Sequence, residues 1–208
     1  MERFLYLPNT KSEYFFCMVC LTNVKERYDN FKLQKKNIPT LSAYDAITPD
    51  AKNFYEECSK INFDENLNNQ KGRKALWLSN INLFKYFLTT EYKYLVVFQD
   101  DAIAPKNLIN ILDKYYVNHP DFLKVGGVRL GQFASCNLYN KYCIKNILDT
   151  IKIYSIDRGL DHYISNIGDK KKNVPYNFNN KLSNLPETIT TVNNYISSRS
   201  MRIYYDKN

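Results

Sequence analysis

The sequence reads YLVVFQDDA at residues 94–102, where five apolar residues run into a glutamine and two adjacent acids. A continuous apolar run of this length is typical of a strand that is buried on both faces. Ionised carboxylates are costly to bury unless they are paired or bound to a metal, so Asp100 and Asp101 need an explanation. Two explanations stay open: an aspartate that caps the next turn or helix, or a ligand site at the carboxyl end of a strand.

Strand and helix patterns alternate on both sides of this stretch. Strands are predicted over 14–21, 40–44, 94–98 and 123–128, and helices over 22–33, 74–88, 105–116, 139–151 and 157–168. Thr22 or Asn23 is predicted to cap the first helix. The segment 47–71 is polar and only weakly periodic, and residues 66–72 at its end are predicted to be loop. Such alternation predicts an α/β sheet that is covered by helices on both faces.

Length and composition limit the class of protein. The chain has 208 residues, of which 44% are hydrophobic and 24% charged, which excludes a disordered, collagen-like or disulfide-scaffold protein. The longest apolar runs are far shorter than the roughly 18–20 residues of a membrane span, so no transmembrane segment is predicted. The apolar stretch before Pro8 is too short for a secretory signal, and we therefore expect a cytoplasmic protein.

The cysteines include one CxxC pair, Cys17 and Cys20. A redox pair or half of a zinc site would need both thiols on one side. The surrounding residues are continuously apolar and predict a strand, on which positions three apart point to opposite faces. We therefore interpret these cysteines as core residues.

The formal charge of +8 is spread along the chain, and no zinc finger, RNP-like strand or long basic helix accompanies it. We predict no nucleic-acid partner, although a basic nucleic-acid-binding protein stays as a minor alternative. A diffuse positive field would also attract nucleotides and phosphates, and a solvated lysine surface explains the charge equally well.

Several short motifs follow one another in a consistent order. They are CLTN at 20–23 with Arg27, AYD at 43–45, the segment from Gly72 to Asn80, QDDA at 99–102 and GLDHY at 159–163. Together they resemble the pattern of glycosyltransferase family 25, a lipopolysaccharide- and collagen-modifying family of GT-A glycosyltransferases with a DxD-type motif. Two positions differ from that pattern, because Gln99 replaces a glutamate and Asn80 a histidine.

The resemblance implies a fold and an activity. The fold would be α/β, GT-A-like, with a Rossmann-related mixed sheet flanked by helices on both faces. Residues 1–208 would form a single domain, in which 168–208 is a C-terminal extension that closes the site. The activity would be hexosyl transfer from a nucleotide-sugar donor, expected to be a UDP-sugar, to a hydroxyl of a glycan or glycoconjugate acceptor, with inversion and with Mn²⁺ or Mg²⁺ as cofactor.

The resemblance also implies roles for individual residues. Donor-binding roles fall on Thr22, Asn23, Arg27, Asp45, Ser79, Gln99 and Asp100. Asp101 would coordinate the cation, His162 would be a metal ligand or an alternative base, and Asp161 would be the general base. For Arg27, a guanidinium suits a diphosphate, but a solvated helix face is an equally simple explanation.

A different class of function stays open beside the enzyme. The replacements at Gln99 and Asn80 are compatible with a carbohydrate- or nucleotide-binding relative that has no catalytic activity.

Overall fold

The computed structural model describes residues 3–7, 12–104, 108–115, 122–124, 136–165 and 190–191. Within these ranges the strands are β1 (Phe4–Leu5), β2 (Tyr14–Cys20), β3 (Ser42–Asp45), β4 (Tyr94–Gln99), β5 (Ala102–Ile103), β6 (Phe122–Lys124), β7 (Cys136–Asn140) and β8 (Thr190–Thr191). The helices are α1 (Lys25–Asn37), α2 (Phe54–Ser59), α3 (Lys71–Leu88), α4 (Leu108–Tyr115), α5 (Lys141–Ile153) and α6 (Leu160–Ser165), with a 3₁₀ turn at Glu65–Leu67. None of the described helices is long and apolar enough to cross a membrane.

The main sheet is mixed, with the strand order β1-β3-β2-β4-β7-β6. Its centre is parallel, because β2 pairs in parallel with both β3 and β4. β1 and β7 join this centre antiparallel, and β6 pairs antiparallel with β7. β5 and β8 form a separate antiparallel pair. The predicted α/β class and mixed sheet are confirmed.

The core lies on both faces of the sheet. Every residue of β2 is buried, as expected for a central strand with covered faces. Phe15 and Cys17 belong to the cluster that contains the apolar residues of α3, α5 and α6. Phe16 and Cys20 belong to the cluster that contains those of α1 and α4. Helices on both faces are therefore confirmed, and so is the prediction that the CxxC thiols are core residues on opposite faces.

The chain changes face between β2 and β3. After β2 the chain continues into α1 on one face, and after β3 it continues into α3 on the other face. Open α/β sheets bind ligands at the carboxyl ends of the strands, at the point where the strand order reverses. In the order β3-β2-β4 the chain moves from β2 to its neighbour on one side and then returns to its neighbour on the other side. The topological switch point therefore lies between the carboxyl ends of β2 and β4.

The first predicted helix begins later than expected and has a different cap. α1 starts at Lys25, and its N-cap position is Val24, which makes no side-chain cap hydrogen bond. The predicted cap at Thr22 or Asn23 is wrong, because the Thr22 hydroxyl donates to Asp45 and the turn takes two more residues.

Three other segments also differ from prediction. The polar segment 47–71 contains α2 and the 3₁₀ turn, which are too short to show a clear period, and the predicted loop 66–72 overlaps this turn and the start of α3. The predicted helix 157–168 begins only at Leu160. The predicted helix 139–151 begins only at Lys141, because β7 occupies Cys136–Asn140. Parts of the predictions at 105–107, 116, 125–128 and 166–168 lie outside the described residues.

Candidate functional site

Asp100 is the centre of the candidate site and directly follows β4. It is 4% exposed, and both of its carboxylate oxygens accept hydrogen bonds. Oδ2 accepts from the backbone N–H of Leu21 at 3.1 Å, and Oδ1 accepts from Nη1 of Arg27 at 3.2 Å. Since Leu21 directly follows β2, Asp100 joins the carboxyl ends of two neighbouring parallel strands.

Burial raises the pKa of Asp100 to about 6, because an ionised carboxylate loses its hydration inside the protein. The charge of Arg27 and the N–H of Leu21 oppose this rise in pKa, whereas the charge of Asp101 adds to it. Asp100 is therefore a carboxyl group that changes its protonation state near neutral pH, far above the usual range for aspartate.

Asp101 supplies the second acid. Its Oδ2 lies 3.6 Å from Nη1 of Arg27, so one guanidinium faces two carboxylates and the trio is negative when both are ionised. Its Oδ1 is buried and accepts no hydrogen bond from any of the described residues. A buried polar atom without a partner costs about 1–3 kcal/mol, so a cation or a hydrogen-bond donor gains most at this oxygen.

Arg27 is not a surface residue. Its side chain is 13% exposed and lies against both acids, which rules out the solvated helix face as an explanation. A guanidinium is always charged and has a fixed planar geometry, so it holds the two carboxylates in place. Its predicted role as a ligand of a diphosphate stays a prediction.

The face of α1 that follows Arg27 holds the chain beyond β4. Nδ2 of Asn30 donates to the backbone oxygens of Asp100 and Ala102, each at 3.0 Å. Oε1 of Gln34 accepts from the backbone N–H of Ala104 at 2.9 Å. The sequence reasoning missed Asn30 and Gln34. The available signal was their spacing of three and seven positions from Arg27, which places all three side chains on one helix face.

Thr22 and Asp45 meet at the carboxyl ends of β2 and β3, beside the topological switch point. The Thr22 hydroxyl donates to Oδ1 of Asp45, and Arg3 lies close by, with Nη1 3.7 Å from Oδ2 of Asp45. Asn23 is exposed in the turn between β2 and α1. The structure thus brings three of the predicted donor-binding residues to the carboxyl edge of the sheet, and their role in binding stays a prediction.

Ser79 lies elsewhere and has a structural contact. It is fully buried, and its Oγ accepts from the backbone N–H of Ile47 at 2.8 Å and donates to the carbonyl of Ala75 at 2.9 Å. Ser79 therefore fixes the chain that leaves β3, and direct donor binding stays a prediction for it. The neighbouring Asn80 donates to the carbonyl of Leu76, and its buried Oδ1 accepts no hydrogen bond within the described part of the chain.

For the remaining predicted residues, Gln99, Asp161 and His162, the structure gives the position in a strand or helix. Gln99 is the last residue of β4, opposite Val19. Asp161 and His162 lie in α6, but their side chains are outside the part of the chain that the structure describes. α6 packs against the first half of α3, where the rings of Trp77 and Tyr163 meet edge to face with centroids 5.2 Å apart.

The C-terminal region reaches the neighbourhood of the acids at one described point. Thr190 and Thr191 pair with Ile103 and Ala102, directly after Asp101. The rest of the predicted extension at 168–208 lies outside the described residues, and its closing of the site stays a prediction.

The described residues suit a divalent cation only if a bound substrate supplies further ligands to it. Among the described residues, no group of three or more His, Cys, Asp or Glu side chains could hold a metal by itself. The unpartnered Oδ1 of Asp101 provides one hard oxygen ligand. Mg²⁺ and Mn²⁺ suit such a site, since they are often bound through one or two carboxylates together with substrate phosphates.

No known family model and no curated protein matches the chain. The resemblance to glycosyltransferase family 25 therefore stays a prediction, and the function is argued from the site alone.

Proposed function

We propose that the protein is a glycosyltransferase of GT-A-like fold, which moves a sugar from a nucleotide-sugar donor to a hydroxyl of a glycan or glycoconjugate acceptor. One observation carries the proposal. An acid pair at the carboxyl end of the central strand β4 is bonded to the end of β2, and one buried oxygen of the pair, Oδ1 of Asp101, has no partner among the described residues. This arrangement suits a cation that is shared with the phosphates of a donor.

The donor would lie across the carboxyl edge of the sheet. Its nucleoside would lie at Thr22, Asn23 and Asp45, beside the switch point between β2 and β4, because ligands bind at the carboxyl ends of the strands in open α/β sheets. Its diphosphate would then extend toward Asp101 and the Arg27 guanidinium. The proposal favours a UDP-sugar as the donor.

In this proposal each residue of the site would have a separate role. Asp101 would hold a Mn²⁺ or Mg²⁺ ion together with the donor phosphates, and the ion would supply positive charge to the departing nucleoside diphosphate. Arg27 keeps Asp100 and Asp101 together although both are acids, and Asp100 anchors the pair to Leu21. Asp161 would accept the proton of the acceptor hydroxyl as general base, which corresponds to an inverting transfer.

A second function is a protein that binds the same donor without transferring the sugar. The observation that favours it is the position of Arg27, which already lies against both acids and reduces the negative charge available to a cation. Gln99 at the end of β4 contributes no charge to compensate.

A donor screen tests the proposal directly. The full chain is incubated with UDP-, GDP- and CMP-sugars and Mn²⁺, and nucleotide release and binding are both measured. We expect one donor to bind and to turn over, with turnover lost when EDTA removes the cation. Binding without turnover in the presence of glycan acceptors favours the second function. If no donor binds, while oligonucleotides bind with a steep salt dependence, both functions are contradicted.

A further inference from the structure

Gln34 is a buried glutamine in the middle of α1. It is 1% exposed, and both ends of its amide are engaged. Oε1 accepts from the N–H of Ala104 at 2.9 Å, and Nε2 donates to Oδ1 of Asn30 at 3.1 Å. Burying a long polar side chain costs conformational entropy and hydration, and the hydrogen bonds to these partners offset that cost.

The hydrogen bonds of this pair run in only one direction. The backbone carbonyls of Asp100 and Ala102 can only accept, so Nδ2 of Asn30 must face them. The Oδ1 of Asn30 then has to face a donor, which is Nε2 of Gln34. This leaves Oε1 of Gln34 toward the N–H of Ala104. Turning either amide over would place donor against donor.

The bonded groups lie on both sides of Asp101. Asn30 holds the carbonyl that precedes Asp101 and the carbonyl of the residue that follows it, and Gln34 holds the N–H at Ala104. Between these points the backbone of Asp101 has little freedom. The contact that the structure gives the Asp101 side chain is the 3.6 Å ion pair with Arg27, whereas Oδ1 makes no hydrogen bond to a described residue.

We propose that Gln34 is a positioning residue which, through Asn30, fixes the direction of the free Asp101 oxygen toward a nucleotide-bound divalent cation. This inference rests on the proposed function, since it concerns the cation of the same site. Gln34 touches neither cation nor substrate in this assignment and acts through the backbone of residues 100–104.

The test uses Gln34→Met in the full chain, because methionine keeps the length of the side chain and removes both hydrogen bonds. The matched control is Gln70→Met, which removes a glutamine whose Nε2 donates to the carbonyl of Asn66 at the exposed start of α3. Calorimetry measures the affinity for UDP alone and for UDP with Mn²⁺, and hydrogen exchange measures the protection of the Ala104 N–H. Asn30→Ala serves as the second variant if Gln34→Met does not fold.

We expect Gln34→Met to weaken Mn²⁺-dependent UDP binding about tenfold, which corresponds to roughly 1.4 kcal/mol, while the affinity for metal-free UDP stays within about twofold. The Ala104 N–H should exchange faster, and Gln70→Met should change none of these quantities. A mere loss of stability would lower the affinity for UDP alone and for UDP with Mn²⁺ to the same extent. The positioning role is therefore overturned by an equal change in both affinities, or by no change in either although the Ala104 N–H exchanges faster. Either result leaves the proposed function intact. If the wild-type chain binds neither UDP with Mn²⁺ nor any donor, the proposed function fails and the assignment of Gln34 fails with it.

Discussion

The backbone N–H of Leu21 donates a hydrogen bond to Oδ2 of Asp100 over 3.1 Å, although the two residues lie 79 positions apart. This bond ties the first residue after β2 to the first residue after β4. The acid pair is therefore positioned by the parallel core of the sheet and by α1 together, and its geometry depends on both elements.

The stability of the fold should increase as the pH falls toward 4, through the protonation of Asp100. Its pKa is raised from 3.8 to about 6 in the folded chain, so the folded state binds this proton more tightly than the unfolded state. The resulting stability is fully present below the unfolded pKa and is lost as the pH rises through about 6. The shift corresponds to at most about 3 kcal/mol.

Urea denaturation of wild type and Asp100→Asn across this pH range measures the effect. The other carboxylates contribute equally to both proteins, so their contribution cancels in the difference between the two free energies of unfolding. The stability difference between the two proteins should change between about pH 4 and pH 7. A difference that stays constant with pH would contradict the raised pKa.

Arg27→Met should destabilise the fold more strongly at about pH 8 than at about pH 5. Removing one member of a nearly buried ion pair costs about 3–5 kcal/mol when the other stays charged, and Asp100 is neutral at the lower pH. Arg27→Met combined with Asp100→Asn should recover part of the loss. Denaturant curves of the single and double variants provide the measurement, and Lys25→Met, which removes an exposed partner of Asp29, is the control expected to change little.

Asp101→Ala should abolish cation-dependent turnover while the chain stays folded. The variant removes the unpartnered oxygen and one of two like charges, so the free energy of unfolding should change little and the pKa of Asp100 should fall. Nucleotide release with Mn²⁺ and thermal denaturation are measured side by side, with Asp149→Ala as a surface control. Full activity in Asp101→Ala would remove the metal-binding role.

Asp161→Asn should lower kcat and leave the affinity for the donor unchanged, because a general base acts on the acceptor hydroxyl and not on donor binding. His162→Ala, at the neighbouring position of α6, separates the two candidates for the base. Steady-state kinetics together with donor titration provide the comparison. An unchanged kcat in Asp161→Asn eliminates this residue as the base.

Strong local patterns made the centre of the fold predictable. β2 and β4 were found because buried parallel strands are continuously apolar, and α3 was found because Trp77, Ile81 and Phe84 recur at helical spacing. β7 was missed because two asparagines interrupt its apolar residues. β7 pairs with β4 and β6, and its side chains are buried in the core clusters on both faces of the sheet. These partners come from other parts of the chain, which no local pattern contains.

The acid pair was also predictable from a local pattern, because two carboxylates directly after a buried strand are costly to desolvate and therefore need a partner or a function. The partners of the acids were harder to identify. The sequence identified Arg27 as a charged residue on a helix, but only the fold brings it beside Asp100. Asn30 and Gln34 carry no charge. Their spacing places them on the same helix face as Arg27, but the backbone atoms that they contact lie some 70 positions away, and no local pattern contains those atoms.

The parallel pairing of β2 with β4 also sets the order in which the molecule assembles. Tyr14 is matched with Tyr94 and Val19 with Gln99, so the chain must close a long loop before these strands meet, and loop closure of this kind slows folding. α1 and α3 can form from local contacts, whereas the bond between Leu21 and Asp100 cannot. During refolding, helical circular dichroism should return first, and protection of the Leu21 N–H should appear together with the ability to bind a nucleotide.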